Sequence, residues 1–334
     1  MKYSNSKIYH LVVIILISSI SSCQSKHGKQ IYTGFKTEAS QLLDANGNPF
    51  IMRGINVPNA WHPKQSYQAL ETIADQKVNC VRLVWESHLS ADGLDSVLQK
   101  CIDLEMIPMV ELHDATGDST AAKLYQMAAY FTSDEMKSII HKYEKYLIIN
   151  IANEWGSNGL SAEYWRDAYK KCLVKLRQSG YRNTIVIDGP GWGQNIQPIL
   201  LYGNDLIEFD PLHNLLFSVH MYGSWNDEEK IKNDLMEARN KSIPLIVGEF
   251  GYNYNKGDNN LNCSVNHKQI LKTCADLNMG YLVWSWTGNN EENNWLDLVV
   301  FEDWKTLTYW GEEIFNSPVG ISETAKKATI FNKK

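Results

Sequence analysis

The chain has 334 residues, 44% of them hydrophobic and 21% charged, which suits a globular protein of one large domain or two. Its formal net charge is −6, and the sequence contains no basic stripe. An acidic balance of this kind argues against a nucleic-acid partner.

The first residues have the pattern of an export signal. Lys2 and Lys7 accompany an apolar run, residues 11–17, which is too short to span a bilayer comfortably. Ile20-Ser21-Ser22-Cys23 follows, and small residues before a cysteine resemble the lipobox of bacterial lipoproteins. We predict that residues 1–23 are a signal peptide and that Cys23 becomes the lipidated N-terminus. The alternatives are a plain secretory signal and a short anchor helix. Lipidation would anchor the exported protein to a membrane of a bacterial cell envelope, facing the periplasm or the outside.

Residues 24–40 are mostly polar and are predicted to form a flexible tether. The cysteines beyond Cys23 have no metal-binding spacing, and their odd number prevents all of them from pairing. Three of them lie in apolar periodic segments and are predicted to be buried, namely Cys80, Cys101 and Cys172. For Cys263 and Cys274 the sequence leaves both a disulfide and free thiols open.

Short β-rich runs alternate with helical patterns from residue 50 onward. The runs are residues 50–56, 79–85, 107–113, 147–154, 184–188, 215–222, 243–250 and 280–286. Their near-continuous hydrophobicity is typical of parallel strands buried on both faces. Helical patterns between them include residues 67–76, 94–104, 162–179 and 266–277. This order predicts a single-domain α/β fold, a (β/α)8 TIM barrel over residues 41–320 with a tail at 321–334. The alternative, a doubly wound sheet, would place a glycine-rich phosphate loop after its first strand, and Arg53-Gly54-Ile55-Asn56 is not one.

Nearly every predicted strand ends in polar or aromatic residues. In such barrels the functional residues lie at the carboxyl ends of the strands. These ends carry Asn56, Trp61 and His62, Arg82 and Trp85, His113 and Asp114, Asn153 to Trp155, Asp188 and Trp192, His220 and Tyr222, Glu249, and Trp284 to Trp286. A purely structural barrel would not require this pattern, so we expect a functional site at this rim.

Glu154 and Glu249 are the strongest candidates for chemistry, because each ends an apolar run at the rim. Cleavage of a glycosidic bond needs an acid for the leaving oxygen and a carboxylate for the positively charged carbon. Asn153 is placed to bind a sugar hydroxyl, and Arg82 and Tyr222 to keep Glu249 ionised. The alternative is that either glutamate is only a buried ion-pair partner of Arg82.

His113 and His220 end strands at the same mouth, which favours a role in binding sugar hydroxyls or positioning a glutamate. A zinc site would need a third ligand, and no His-x-x-x-His or cysteine pair supports one, so we predict no metal and no cofactor. Several tryptophans lie in or beside the rim loops, where flat rings can stack on sugars; they are Trp61, Trp85, Trp155, Trp192, Trp225, Trp284 and Trp286. Core packing is the alternative for two or three of them. Trp284 is the candidate platform beneath the reacting ring.

From about residue 40 to 315 the chain resembles glycoside hydrolase family 5, and within it the bacterial endo-β-1,4-mannanases. The wider resemblance lies in Ala152-Asn153-Glu154-Trp155 and Val247-Gly248-Glu249-Phe250. The narrower one lies in three segments: His113-Asp114-Ala115-Thr116-Gly117, Gly191-Trp192-Gly193-Gln194 and Trp284-Ser285-Trp286-Thr287-Gly288-Asn289. The resemblance implies that Glu154 is the acid/base and Glu249 the nucleophile. The supporting set that it implies is Arg82, His113, Asn153, His220, Tyr222 and Trp284.

Two rim loops depart from the pattern of the similar enzymes. The loop after Asn56 lacks a histidine soon after that asparagine, and no aromatic residue follows Trp155 closely. Both loops would touch sugars away from the cleavage point. The expected function is therefore a retaining endo-β-1,4-mannanase, active on mannan, glucomannan or galactomannan and acting as a monomer. The alternatives are an endo-β-1,4-glucanase of the same family and a non-catalytic glycan-binding lipoprotein.

Overall fold

The computed structural model describes Met1, residues 34–223 and residues 225–332. Apart from Met1, the predicted signal peptide with its lipidation site Cys23 lies outside the described residues. None of the helices in the described part of the chain is both long and apolar enough to cross a membrane.

The fold is a closed barrel of eight parallel strands, preceded by a short antiparallel hairpin. The hairpin strands are β1 (Lys36–Glu38) and β2 (Gln41–Leu43). The barrel strands are β3 (Arg53–Val57), β4 (Cys80–Trp85), β5 (Ile107–Leu112), β6 (Ile148–Asn150), β7 (Ile185–Asp188), β8 (Leu215–Met221), β9 (Leu245–Phe250) and β10 (Gly280–Val283). Each barrel strand pairs with its neighbours in chain order, and β10 closes the barrel on β3. The predicted (β/α)8 barrel is thus confirmed.

Helices cover the outside of the barrel and pack their apolar faces on the strands. They are α1 (Pro63–Asp75), α2 (Ala91–Asp103), α3 (Ala121–Phe131), α4 (Asp134–Lys142), α5 (Ala162–Gln178), α6 (Gln197–Phe209), α7 (Glu228–Asn240), α8 (His267–Asp276), α9 (Tyr309–Asn316) and α10 (Ile321–Thr324). Side-chain caps fix where several of them begin. Ser90 accepts the amide hydrogen of Gly93, and Ser161 accepts that of Tyr164. Such caps satisfy amides that have no partner inside the helix.

Two predicted strands run well past the carboxyl ends of the observed ones. The run predicted at residues 147–154 forms a strand only over Ile148–Asn150, and the run at 280–286 only over Gly280–Val283. Beyond both strands the apolar character continues, but the chain leaves the sheet. The residues after β6 and β10 therefore form loops over the carboxyl end of the barrel, where Glu154 and Trp284 lie.

The amino end of the barrel is closed by an apolar plug, a buried cluster that includes Phe35, Leu42, Phe50, Ile107, Leu216, Ile246 and Ala328. The plug joins the hairpin and the C-terminal segment to the barrel. Asp44 accepts hydrogen bonds from both the amide and the hydroxyl of Thr329, each at 2.6 Å.

Two predicted boundaries differ from the structure for this reason. The predicted tether at residues 24–40 includes β1, which hydrogen-bonds to β2 and follows the buried Phe35. The predicted tail at 321–334 includes α10 and a short 3-10 helix, Thr329–Phe331, which packs against the plug.

The five cysteines within the described residues are all buried free thiols. Cys80, Cys101 and Cys172 are core residues, as predicted. Cys263 and Cys274, for which the sequence left a disulfide open, are not bonded to each other.

Candidate active site

A cleft of about 800 Å³ opens at the carboxyl end of the barrel. It is lined by residues from the loops after most of the strands, and the candidates His113, Asn153, Glu154, Tyr222, Glu249 and Trp284 are among them. Arg82 and His220 lie beneath it and are fully buried. The structure thus brings together all eight described residues that the sequence singled out.

Glu249 near the end of β9 is held by two donors. Its Oε1 accepts a hydrogen bond from Arg82 Nη1 at 2.9 Å, and its Oε2 accepts one from the Tyr222 hydroxyl at 3.0 Å. The residue is only 3% exposed. Hydrogen bonds to both oxygens favour the ionised carboxylate and fix its orientation.

Glu154 lies beyond the end of β6 in a left-handed backbone conformation, with φ at 45°. Its amide donates to Asp188 Oδ2 at 3.0 Å, and its Oε1 is 2.7 Å from His220 Nδ1. One oxygen of Glu154, one oxygen of Glu249 and one ring nitrogen of His220 all lie within 4.8 Å of one another. The two carboxyl groups therefore lie close together in the lining of the cleft.

Arg82 is the centre of the network beneath the cleft. Its Nη1 donates to Asn56 Oδ1 as well as to Glu249, and its Nη2 donates to Asn153 Oδ1 at 2.7 Å. Its Nε and Nη2 both donate to Asn150 Oδ1. All of the guanidinium donors are used, so the side chain has one available geometry.

The charge of Arg82 is matched by buried carboxylates. Glu111 lies 3.6 Å and Asp188 3.5 Å from the guanidinium, in addition to Glu249. Burial acts to lower the pKa of Arg82, but these carboxylates outweigh it and the pKa is raised. The guanidinium is therefore a fixed positive charge beneath two carboxyl groups that face the cleft.

His220 is enclosed between two glycines. A Cβ on Gly193 would lie 2.6 Å from the imidazole Cγ, and a Cβ on Gly248 would lie 2.1 Å from Ser218 Oγ and 3.0 Å from the imidazole Nε2. Burial acts to lower the pKa of His220, but the carboxylates of Glu249, Asp188 and Glu154 raise it to about 9. At neutral pH the imidazole therefore keeps its titratable proton, and the ring lies beside both carboxyl groups.

His113 and Trp284 form one wall of the cleft. Their rings are stacked, with centroids 6.0 Å apart, and Trp61 contacts both edge-on. His113 Nδ1 lies 3.0 Å from Glu111 Oε1, and Trp284 Nε1 donates to Asn289 Oδ1 at 2.9 Å. Burial acts to lower the pKa of His113, but Glu111 and the other carboxylates raise it overall.

Glu154, His220 and Glu249 also present three atoms of metal-ligand type to one point. The surrounding charge opposes a cation there, because Arg82 Nη1 lies 2.9 Å from Glu249 and the imidazole holds a proton at neutral pH. The contacts of this cluster instead suit acid–base and nucleophilic chemistry.

Sequence reasoning did not single out several members of the network, namely Glu111, Asn150 and Thr116. A signal for two of them exists: Glu111 and Asn150 are polar residues inside otherwise apolar strands. Thr116 accepts a hydrogen bond from Asn153 Nδ2 at 2.9 Å and lies in a loop, where sequence gives no such signal.

The tryptophans divide between cleft and core. Trp61, Trp192 and Trp284 line the cleft. Trp85, Trp155, Trp225 and Trp286 are core residues, no more than 2% exposed. Four of these tryptophans thus belong to the core, whereas the sequence suggested two or three.

A TIM barrel with two carboxyl groups this close at the carboxyl end of its strands has the arrangement of a retaining glycosidase, in which one group attacks the sugar and the other transfers the proton. The comparisons with known proteins agree with this class. Residues 43–290 match the family model described as cellulase (glycosyl hydrolase family 5). The chain belongs to glycosyl hydrolase family 5.

The chain is similar to several mannan-degrading proteins of this family. It is 38% identical to a mannan endo-1,4-beta-mannosidase of Salipaludibacillus agaradhaerens over 89% of this chain and 96% of that one. A beta-mannanase from Thermomonospora fusca superposes with a TM-score of 0.83 at 32% identity, covering 90% of this chain and 100% of that one. A mannohexaose complex of the Thermomonospora fusca beta-mannanase gives a TM-score of 0.82 at 33% identity over the same shares of the two chains.

Proposed function

We propose that this protein is a retaining endo-β-1,4-mannanase that cleaves internal bonds of mannan, glucomannan or galactomannan by double displacement. The observation that carries the proposal is the pair Glu154 and Glu249, whose oxygens face each other within 4.8 Å beneath an open cleft. Retaining enzymes place their two carboxyl groups about 5–5.5 Å apart, whereas inverting enzymes leave room for a water molecule. The similar proteins named as mannanases support the choice of mannan as substrate.

In the proposed first step, Glu249 attacks the anomeric carbon while Glu154 protonates the oxygen of the leaving sugar. The Glu249–carbon bond forms as the carbon–oxygen bond breaks, and the departing chain leaves with the proton from Glu154. Arg82 and Tyr222 hold the attacking carboxylate in place. Glu154 then removes a proton from water, which attacks the same carbon and releases Glu249.

The remaining cleft residues bind and orient the sugar. Asn153 Oδ1 accepts a hydrogen bond from Arg82, and Asn153 Nδ2 donates one to Thr116. The second Nδ2 hydrogen of Asn153 is therefore left for a sugar hydroxyl. Trp284 supplies a flat face for the ring under attack, and His113 is fixed beside it by Glu111.

The pKa of the proposed nucleophile reflects its surroundings. Burial raises the pKa of Glu249 to about 7, with His220 and Arg82 lowering it and the Glu154 carboxylate raising it further. Hydrogen bonds from Arg82 and Tyr222 favour the charged form of Glu249, which is the form that attacks the sugar.

One substrate panel tests the proposed activity. Purified protein should release reducing ends from linear mannan, glucomannan and galactomannan, and little from carboxymethylcellulose or xylan. Carboxymethylcellulose as the preferred substrate would instead identify an endoglucanase, and no release from any polysaccharide would leave a glycan-binding protein. Products sampled by NMR before mutarotation should have the β configuration, and α-product first would exclude the double displacement.

We further propose that the protein is exported and anchored to a membrane of the bacterial cell envelope through a lipid on Cys23, and that it acts as a monomer. The support is the lipobox-like Ile20-Ser21-Ser22-Cys23. Multiple acyl chains on one cysteine would give the stable anchoring that a single chain does not. Cys23→Ala should abolish lipidation and leave hydrolysis intact. A mature N-terminus elsewhere, without lipid, would contradict the anchor, and a dimer in light scattering of the anchorless variant would contradict the monomer.

A further inference from the structure

We infer that Asp188 is a positioning residue that couples the two proposed catalytic carboxyl groups and sets which nitrogen of His220 faces Glu154 as a proton acceptor. The inference rests on the proposed function, because it concerns the proton that Glu154 is proposed to donate. Asp188 ends β7, is fully buried and is not among the residues that line the cleft.

Asp188 first holds the backbone of the acid. Its Oδ2 accepts the amide hydrogen of Glu154 at 3.0 Å, and its Oδ1 accepts a hydrogen bond from Asn150 Nδ2 at 3.2 Å. Glu154 has a φ of 45°, a left-handed conformation that glutamate adopts rarely. Strand β6 has ended before Glu154, so the Asp188 side chain, and not a neighbouring strand, accepts the hydrogen bond of this backbone amide.

The same carboxylate faces the imidazole that contacts Glu154. Asp188 Oδ2 lies 3.6 Å from His220 Nε2, which has no hydrogen-bond partner among the described residues. The opposite nitrogen, Nδ1, lies 2.7 Å from Glu154 Oε1. A carboxylate facing Nε2 keeps the hydrogen on that nitrogen when the ring is neutral, so that Nδ1 can accept the acid hydrogen of Glu154.

Two other carboxyl groups also face His220, and their positions define what Asp188 adds. Glu154 and Glu249 both approach Nδ1, at 2.7 and 3.6 Å, whereas Asp188 is the carboxylate on the Nε2 side. Asp188 therefore determines which ring nitrogen carries the hydrogen in the neutral imidazole. Glu154 and His220 then share one proton along the line from Oε1 to Nδ1.

Asp188 also reaches the nucleophile side through Arg82. Its Oδ2 is 3.5 Å from Arg82 Nη2, and Arg82 Nη1 holds Glu249 at 2.9 Å. One carboxylate oxygen thus lies next to the acid backbone, the imidazole and the guanidinium. Removal of its charge should alter proton transfer more than substrate binding.

The test compares Asp188→Asn with Asp210→Asn. Asp210 is a matched control, because it is also fully buried and pairs with Arg177 at 2.7 Å, but it lies just before β8 at the amino end of the barrel. Both variants lose a buried, paired carboxylate and should lose stability. Only Asp188→Asn should move the alkaline limb of the kcat profile to lower pH, by roughly one pH unit.

A comparison of two substrates distinguishes a positioning role of Asp188 from a general loss of structure in the variant. With linear mannan, Asp188→Asn should lower kcat about ten- to a hundredfold, part of the ~10²–10⁴ that general acid catalysis contributes, and change KM less than about threefold. With an aryl β-mannoside that has a good leaving group, glycosylation should change little. In a Glu154→Ala background, the added Asp188→Asn change should have no further effect on azide-supported turnover.

An equal loss on both substrates with an unchanged pH profile would overturn the inference and leave Asp188 a structural residue. If Asp188→Asn does not fold, ¹⁵N NMR of the His220 ring in the unaltered protein decides. The neutral ring should carry its hydrogen on Nε2, and a hydrogen on Nδ1 would overturn the inference. Failure of the proposed function would be distinct, because the unaltered protein would then release no sugar from mannan.

Discussion

The two ends of the barrel are built from the same strands but hold opposite chemistry. Along one strand after another, an apolar residue at the amino end is followed by a polar one toward the carboxyl end. Cys80 and Arg82 on β4, Ile148 and Asn150 on β6, and Val186 and Asp188 on β7 are such pairs. One end is an apolar plug, and the other is a charged hydrogen-bonded network around Arg82. Apolar packing and the proposed chemistry therefore lie at opposite ends of one barrel.

The largest effect should come from removing one member of the charged end. Glu249→Ala should lower kcat/KM on mannan by at least ~10⁴-fold, because no glycosyl-enzyme can form. Glu154→Ala should still form the intermediate from an activated aryl β-mannoside, and azide should restore its turnover. Azide rescue is measured by product formation. Rescue of Glu249→Ala through the retained β-product, with none for Glu154→Ala, would reverse the two roles.

Arg82→Met tests the charged network as a structural unit. It should lower the free energy of unfolding by about 3–5 kcal/mol and abolish activity, because it leaves Glu111, Asp188 and Glu249 buried near one another without their cation. Urea denaturation measures the loss. Arg53→Met is the matched control, because Arg53 is also buried but donates to the carbonyl oxygens of Met52 and Met279. An equal loss in both variants would show that the carboxylates are not the cause.

Leu216→Ala tests the apolar end by itself. Leu216 belongs to the plug and is only 2% exposed, so truncation should cost about 2–4 kcal/mol of stability through lost burial and a cavity. The kcat on mannan and the pH profile at a temperature where the variant is folded should stay within about twofold of the unaltered protein. A shifted pH profile would mean that the two ends are not separable.

The pH dependence of stability should arise at the charged end of the barrel and not at the plug. The folded pKa of Glu249 is about 7 against 4.5 when unfolded, and that of His220 about 9 against 6.5. Both groups bind their protons more tightly in the folded state. Their contribution is complete at low pH and is lost as pH rises through about 7 and about 9. The free energy of unfolding should therefore fall between about pH 5 and pH 9, by several kcal/mol.

Glu249→Gln should remove the part of this decline that lies between about pH 5 and pH 7. The plug variant Leu216→Ala should keep the slope of the unaltered protein at a lower absolute stability. A flat stability profile in the unaltered protein would contradict the raised pKa values.

The barrel was predictable because its strands are apolar almost throughout, and the rim was predictable because strand ends in such barrels carry function. The length of β6 was not predictable. Residues 151–154 read as strand, but the amide of Glu154 bonds to the side chain of Asp188 instead of a neighbouring strand. That choice depends on a residue far along the chain, which no local pattern records.

Other errors have equally specific causes. Lys36–Glu38 is polar and resembles a linker, yet the burial of Phe35 beside it draws this segment onto the barrel. Trp155 follows a catalytic candidate in sequence, but its ring contacts Tyr164 and Tyr169 of α5 and not the cleft. The sequence identified the candidate residues, and the packing of the folded chain determines which of them line the cleft.

The glycines beside His220 have a consequence for the directed evolution of this protein. Any side chain at Gly193 would meet the imidazole ring, and any at Gly248 would meet Ser218. Gly193 also has a φ of 72°, so a larger residue there would be strained even without the ring. Random libraries that include these two codons would consist mostly of inactive members. Random substitutions are better placed on the exposed rim at Trp61, Trp192 and Phe301, where new side chains would project into water and into the cleft.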